Sequence, residues 1–216
     1  MTRQDSLVFV VDDDSSMREA LSSLLRSEGL RALTFASAEE FLQYSRPPDL
    51  AACLVLDVRM PGMTGLELQR RLTGTEQAVP IVFLTGYGDI RMGVDVMKSG
   101  AVEFLSKPCE GTELVQAVHR ALELDQADLW NRAEQSALWK KYATLTARER
   151  QVADLLVKGL LNKQVAAALG IQEITVKVHR RHIMSKMAVK ALVDLARMID
   201  RLPLGGASDV GLYTKV

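Results

Sequence analysis

Three consecutive carboxylates, Asp12, Asp13 and Asp14, follow directly on an apolar run at residues 7–11. A fourth, Asp57, closes a second apolar run, C-L-V-L at 53–56. Asp is common where strands end, so D-D-D alone fits a solvated turn. Carboxylates brought together from two strand ends cannot all stay ionised and unpaired. Oxygen ligands of this kind suit Mg²⁺, which takes one or two carboxylates plus waters and a phosphate. Two further run ends enlarge the group: I-V-F-L at 81–84 ends in Thr85, and F-L-S at 104–106 ends in Lys107-Pro108. A hydroxyl and an ammonium beside three acids suit a phosphoryl group. Lys offers it a point charge, the cation neutralises charge developing in an in-line transfer, and a carboxylate nucleophile gives an acyl phosphate.

The elements that must position these groups alternate. Strand-like runs occupy 7–11, 30–35, 52–56, 80–84 and 102–105, with helical patterns at about 15–27, 37–45, 64–73 and 89–99 and a last helix from about 110. Strands alternating with helices indicate βαβ units and an α/β doubly wound, five-stranded parallel sheet. Ligands of such sheets bind beyond the carboxyl ends of the strands, where Asp12, Asp13 and Asp57 converge. From 110 to about 142 the helical pattern persists. Val115, Val118, Leu122, Leu129 and Ala133 form one stripe, which Asp125 interrupts. The expectation is a helical linker over 123–142 rather than a continuous coiled coil.

The formal net charge of zero conceals an asymmetry. Residues 1–124 carry 12 Lys/Arg against 18 Asp/Glu, and residues 140–201 carry 13 against 5. An acidic half and a basic half suggest two domains with different partners, the basic one a candidate for nucleic acid. Hydrophobic residues make up 48% of the chain and charged residues 25%, ordinary for a soluble globular protein. The early run at 7–11 is too short for a signal-peptide core or a membrane span. The expected location is the cytoplasm, away from membranes, with Cys53 and Cys109 as free thiols.

The basic half is helical throughout. Thr146 and Glu149 fit a capping box. Helices follow to about Gly159, from about Asn162 to Leu169 with a stop at Gly170, from about Thr175 to Met187, and from about Lys190 to Arg201. Two short helices joined by a Gly-containing turn make a helix-turn-helix, here within a small four-helix all-α domain. On the third helix Val176, Ile183 and Met187 face the core, with Met184 beside them. Lys177, Val178 and Arg181 lie on the other side. Arg and Lys read guanine edges and Val meets a thymine methyl, whereas Lys163, Thr175 and Arg180 suit phosphate. His179 and His182 lack ligand partners at metal-binding spacing. The tail at 203–216 has turn formers and no period, so it is expected to be flexible.

The pieces V-D-D-D, L-D-V-R-M-P-G-M-T-G, L-T-G-Y-G-D and F-L-S-K-P, in that order, resemble the receiver domain of a two-component response regulator, a flavodoxin-like fold. The resemblance covers residues 1–122. It implies that Asp57 is the phosphoacceptor, that Asp13, Asp57 and the Arg59 carbonyl bind Mg²⁺ directly, and that Asp12 binds it through water. It makes Lys107 the phosphoryl contact, Thr85 the switching hydroxyl and Phe104 the switching aromatic, and it leaves Asp14 solvated without a role. The stretches L-T-A-R-E-R-Q-V, G-L-L-N-K-Q-V-A-A-A-L-G-I and T-V-K-V-H-R-R-H-I-M-S-K-M resemble the helix-turn-helix of LuxR/NarL-type regulators, closest to the FixJ subfamily. That domain is expected over 143–202. Gln172 departs from the family, which often has Ser there, and Gln is a poorer cap.

Together these resemblances imply a transcription regulator, not an enzyme. A sensor histidine kinase would phosphorylate it, and it would homodimerise on phosphorylation through a face carrying Val94 and Lys98. It would then bind double-stranded promoter DNA, with RNA polymerase as a further partner. The rival of another class is an Mg²⁺-dependent aspartyl phosphatase, which usually carries D-x-D at its first strand where this chain has D-D-D. A second rival keeps the receiver and gives the basic domain RNA, against which the helix-turn-helix pattern argues.

Overall fold

A computed structural model of the chain describes residues 6–86 and 100–202. Val94 and Lys98, the expected helix at 89–99 and the tail at 203–216 lie outside the described residues. The chain divides into two units, Met1–Trp130 and Asn131–Val216.

The first unit is built on strands β1 (Ser6–Val11), β2 (Arg31–Phe35), β3 (Ala51–Asp57), β4 (Ile81–Thr85) and β5 (Glu103–Ser106). All pairings are parallel and the order is β2-β1-β3-β4-β5, so the chain reverses direction across the sheet between β1 and β3. Alternation along the strands feeds two cores. Leu7, Phe9, Val11, Leu54, Leu56 and Phe83 pack on one face with Phe41 of helix α2 (Ala38–Leu42) and Leu68 of α3 (Gly65–Leu72). Val8, Val10, Cys53, Val55, Val82 and Leu84 pack on the other, with Leu21 and Leu25 of α1 (Ser15–Ser27) and Leu114, Ala117 and Val118 of α4 (Gly111–Ala143). Burial on both faces explains why β1 and β3 read as unbroken apolar runs. Both described cysteines are free. The Cys53 thiol is pushed up in pKa, by burial first and by the Asp125 charge second.

Helix α4 runs unbroken across residue 122. Asp125 does not interrupt it. The side chain is 1% exposed and accepts hydrogen bonds from Arg46 and from Ala52 N at 2.8 Å. A charge on the apolar stripe is therefore part of the packing, held by a partner distant in sequence.

In the second unit, α5 (Ala147–Val157), α6 (Asn162–Leu169), α7 (Glu173–Met187) and α8 (Leu192–Asp200) enclose Val152, Leu156, Val165, Val176, Ile183, Met187 and Leu195. The Thr146–Glu149 capping box forms as the sequence suggests. Helix α7 starts at Glu173 behind Gln172, which makes no side-chain capping bond. Gly170 ends α6 in the left-handed region at φ 64°, where glycine carries no Cβ penalty.

Candidate functional sites: an acidic pocket and a basic helix

The register places Val11 beside Leu56, so the residues that follow each strand meet at the carboxyl edge of the sheet. Asp12 and Asp57 are buried there and Asp13 is exposed at the rim. Oxygen atoms of Asp12, Asp13 and Asp57 all lie within 4.8 Å of one another. Lys107, arriving at the end of β5, places Nζ 2.6 Å from Asp12 Oδ2 and 3.1 Å from Asp57 Oδ1. Burial pushes the Asp57 carboxyl above its ordinary value, Lys107 opposes that shift, and Asp12 and Asp13 reinforce it. Burial also works against the Lys107 ammonium, but its bonds to Asp12 and the charge of Asp57 outweigh it and raise its pKa. An all-oxygen set of three carboxylates fits a hard divalent cation.

Thr85 is the last residue of β4 and is 1% exposed, and its carbonyl accepts from Lys107 N at 2.6 Å. Phe104 lies beside Phe83 in the register, half-buried against the core. Arg59 is exposed on the loop two residues past Asp57. Structure therefore gathers Asp12, Asp13, Asp57 and Lys107 directly, with Thr85 and Phe104 on the neighbouring strands.

Three contributors escaped sequence reasoning. Asp14 is exposed, but it caps α1 by accepting from Ser16 N and Met17 N, which is a structural role. Arg18, one turn into that helix, donates to the Asp12 and Asp13 carbonyls at 2.7 and 3.0 Å and pins the acidic turn. Gly65 opens α3 so close to β3 that a Cβ there would stand 2.2 Å from the Asp57 carbonyl oxygen. An Asp standing directly ahead of a helical pattern that opens at Ser15 was the available signal for Asp14; nothing local marked the other two.

On the second unit, Lys163, Lys177, Val178 and Arg181 are exposed, and Thr175 and Arg180 are half-exposed. Lys177 Nζ pairs with Glu173 at 3.0 Å, one helical turn back. Lys186 instead turns to α5 and binds the buried Glu149 carboxylate at 2.6 Å, so one cation of this helix is structural. His182 Nδ1 stands 3.8 Å from the same carboxylate.

Residues 8–119 match the family described as the response regulator receiver domain, and residues 143–199 match the bacterial regulatory proteins of the luxR family. Nodulation protein W of Bradyrhizobium diazoefficiens is 49% identical over 91% of this chain and 86% of its own. Response regulator protein TmoT of Ectopseudomonas mendocina is 46% identical, over 94% and 91%. Transcriptional regulatory protein FixJ of Rhizobium meliloti is 40% identical, over 90% and 95%. The solved structure of the response regulator StyR superposes with a TM-score of 0.82 at 48% identity, covering 91% of this chain and 99% of that one. Full-length FixJ from B. japonicum gives 0.54 at 36%, covering 92% and 97%. The phosphatase alternative finds no support in these relatives. No helix among the described residues is long and apolar enough to cross a membrane. The chain belongs to the two-component response regulators, joining a receiver domain to a LuxR-type DNA-binding domain that regulates transcription.

Proposed function

We propose that a sensor histidine kinase phosphorylates Asp57, and that the phosphorylated chain dimerises and binds promoter DNA. The partition is a receiver over 1–122, a helical linker over 123–142 and a DNA-binding domain over 143–202. The observation that carries this reading is the meeting of Lys107 with Asp12 and Asp57 at the carboxyl edge of the sheet. In the transfer, an Asp57 carboxylate oxygen attacks phosphorus. The bond from phosphorus to the kinase histidine nitrogen breaks as the phosphorus–oxygen bond forms. Lys107 holds a phosphoryl oxygen, having exchanged its Asp57 contact for it. Asp12, Asp13, Asp57 and the Arg59 carbonyl would hold Mg²⁺, which supplies charge neutralisation during transfer.

Thr85 then turns toward the phosphoryl group and Phe104 fills the space released. This favours a dimer face that includes Val94 and Lys98. Phosphate must bind the dimerising state more tightly for the populations to shift. Two DNA-binding domains related by a two-fold axis engage a two-fold-related site. Lys177, Val178 and Arg181 contact bases; Lys163, Thr175 and Arg180 contact phosphates. The same dimer on a promoter stands where RNA polymerase is reached. The protein accepts one phosphoryl group and does not turn over an external substrate.

Intact-mass spectrometry after incubation with acetyl phosphate and Mg²⁺ tests the site. Wild type gains one phosphoryl group, Asp57→Ala gains none, and Asp13→Ala loses the dependence on Mg²⁺. Equal labelling of wild type and Asp57→Ala would sink the assignment.

A further inference from the structure

We infer that Ile174 and Val178 read the 5-methyl groups of two thymines in the major groove, which makes Ile174 a specificity-determining residue of the DNA interface. This rests on the reading of α7 as the helix that contacts bases. Ile174 is 62% exposed and Val178 is 45% exposed. They stand one turn apart, and with Lys177 and Arg181 they complete an i, i+3, i+4, i+7 face on which every side chain is exposed. The core-facing side of the same helix is filled by Val176, Ile183 and Met187, so neither residue packs the domain. Ile174 gains nothing locally either, because β-branched side chains are mediocre helix formers.

An apolar pair set between cations has one complement on duplex DNA. The cations draw in the phosphate backbone, and the thymine methyl is the apolar group on the major-groove edge of the bases. Four residues of helix rise by about 6 Å, near two base steps of about 3.4 Å each. The pair therefore addresses two thymines roughly two steps apart. The selected half-site should carry both.

The test uses the full chain, treated with acetyl phosphate and Mg²⁺, and the duplex it selects from a random pool. Each thymine is replaced singly by deoxyuridine, which removes only the methyl group. Wild type should lose about fourfold in affinity at each of two positions, the equivalent of one methyl-sized group. Ile174→Ala should bind the thymine and deoxyuridine duplexes equally at one of them and keep the loss at the other. Val178→Ala should do the reverse, and Ile174→Val should keep part of the discrimination. The salt slope should stay at the wild-type value in all three. Deoxyuridine losses that persist unchanged in Ile174→Ala overturn the inference while leaving base reading by α7 intact. Altered self-association with unchanged deoxyuridine losses assigns the pair to a protein contact and overturns it as well. A wild type without any sequence preference refutes base reading by α7 itself, and this inference with it.

Discussion

Arg46 and Asp125, 79 residues apart in the chain, meet in a buried ion pair at the end of the sheet opposite the carboxylate cluster. Arg46 also donates to the carbonyls of Ala78 at 2.9 Å and Leu50 at 3.2 Å. The pair thus ties α4 to the loops that lead into β3 and β4. Removing one partner leaves the other charge buried and uncompensated, which typically costs about 3–5 kcal/mol. Asp125→Ala should lower the urea stability of the receiver by that order. Arg46→Met with Asp125→Leu should recover part of the loss, since an apolar pair of similar volume avoids the stranded charge. A single mutant with wild-type stability would show that the pair contributes little.

That pair also marks where the sequence was hard to read. Periodicity treats a carboxylate on an apolar stripe as a break, and nothing near Asp125 points to Arg46. The carboxylate cluster was readable because each member ends a recognisable apolar run, and parallel topology brings such ends together. Parallel pairing of the strands followed from their alternation with helices. Asp14 looked idle because three adjacent acids hide an N-cap among candidate ligands. Nothing near Lys186 signals its structural role, because its partner Glu149 lies 37 residues back. Long-range pairs of this kind leave no local signature.

Gly65 offers a steric test of how β3 holds Asp57. Its N–H donates to the Val58 carbonyl at 3.0 Å, drawing α3 against the strand end. A Cβ 2.2 Å from the Asp57 carbonyl oxygen has to displace backbone, not a flexible side chain. Gly65→Ala should cost about 1–3 kcal/mol. It should also slow labelling of Asp57 by acetyl phosphate about tenfold or more, because a displacement near 1 Å weighs heavily on a positioned transfer. Wild-type labelling kinetics would refute the steric account.

Glu149 gives the second unit a dependence on acid. Burial pulls its carboxyl upward, but Lys186, the Thr146 N–H and the Thr146 hydroxyl together hold it below the ordinary value of 4.5. A folded-state pKa below the unfolded one contributes stability above about pH 4.5, lost as pH falls through the lower folded value. The melting temperature of the DNA-binding domain should therefore fall more steeply below pH 4.5 in wild type than in Glu149→Gln. Calorimetry across that range on both proteins decides it; parallel curves would remove Glu149 from the account.

Variants of Lys163 and Arg181 test whether holding DNA and reading it fall to different residues. Both are exposed, Lys163 at the start of α6 and Arg181 on the apolar-and-cationic face of α7. A base contact distinguishes one pair from another, so Arg181→Ala should cost roughly 1–3 kcal/mol on the selected site and relax preference at one position. A phosphate contact is blind to sequence. Lys163→Ala should weaken all duplexes about equally and reduce the salt slope by about one unit. Phosphorylation should tighten binding by wild type through dimerisation and leave these preferences unchanged. The measurements are selection from random duplexes followed by salt titration of each variant. If Arg181→Ala kept the wild-type preference at every position, α7 would sit in the groove with another face inward. The uncapped start at Gln172, where a Ser would fix the first turn, is then the place to look for the altered pose.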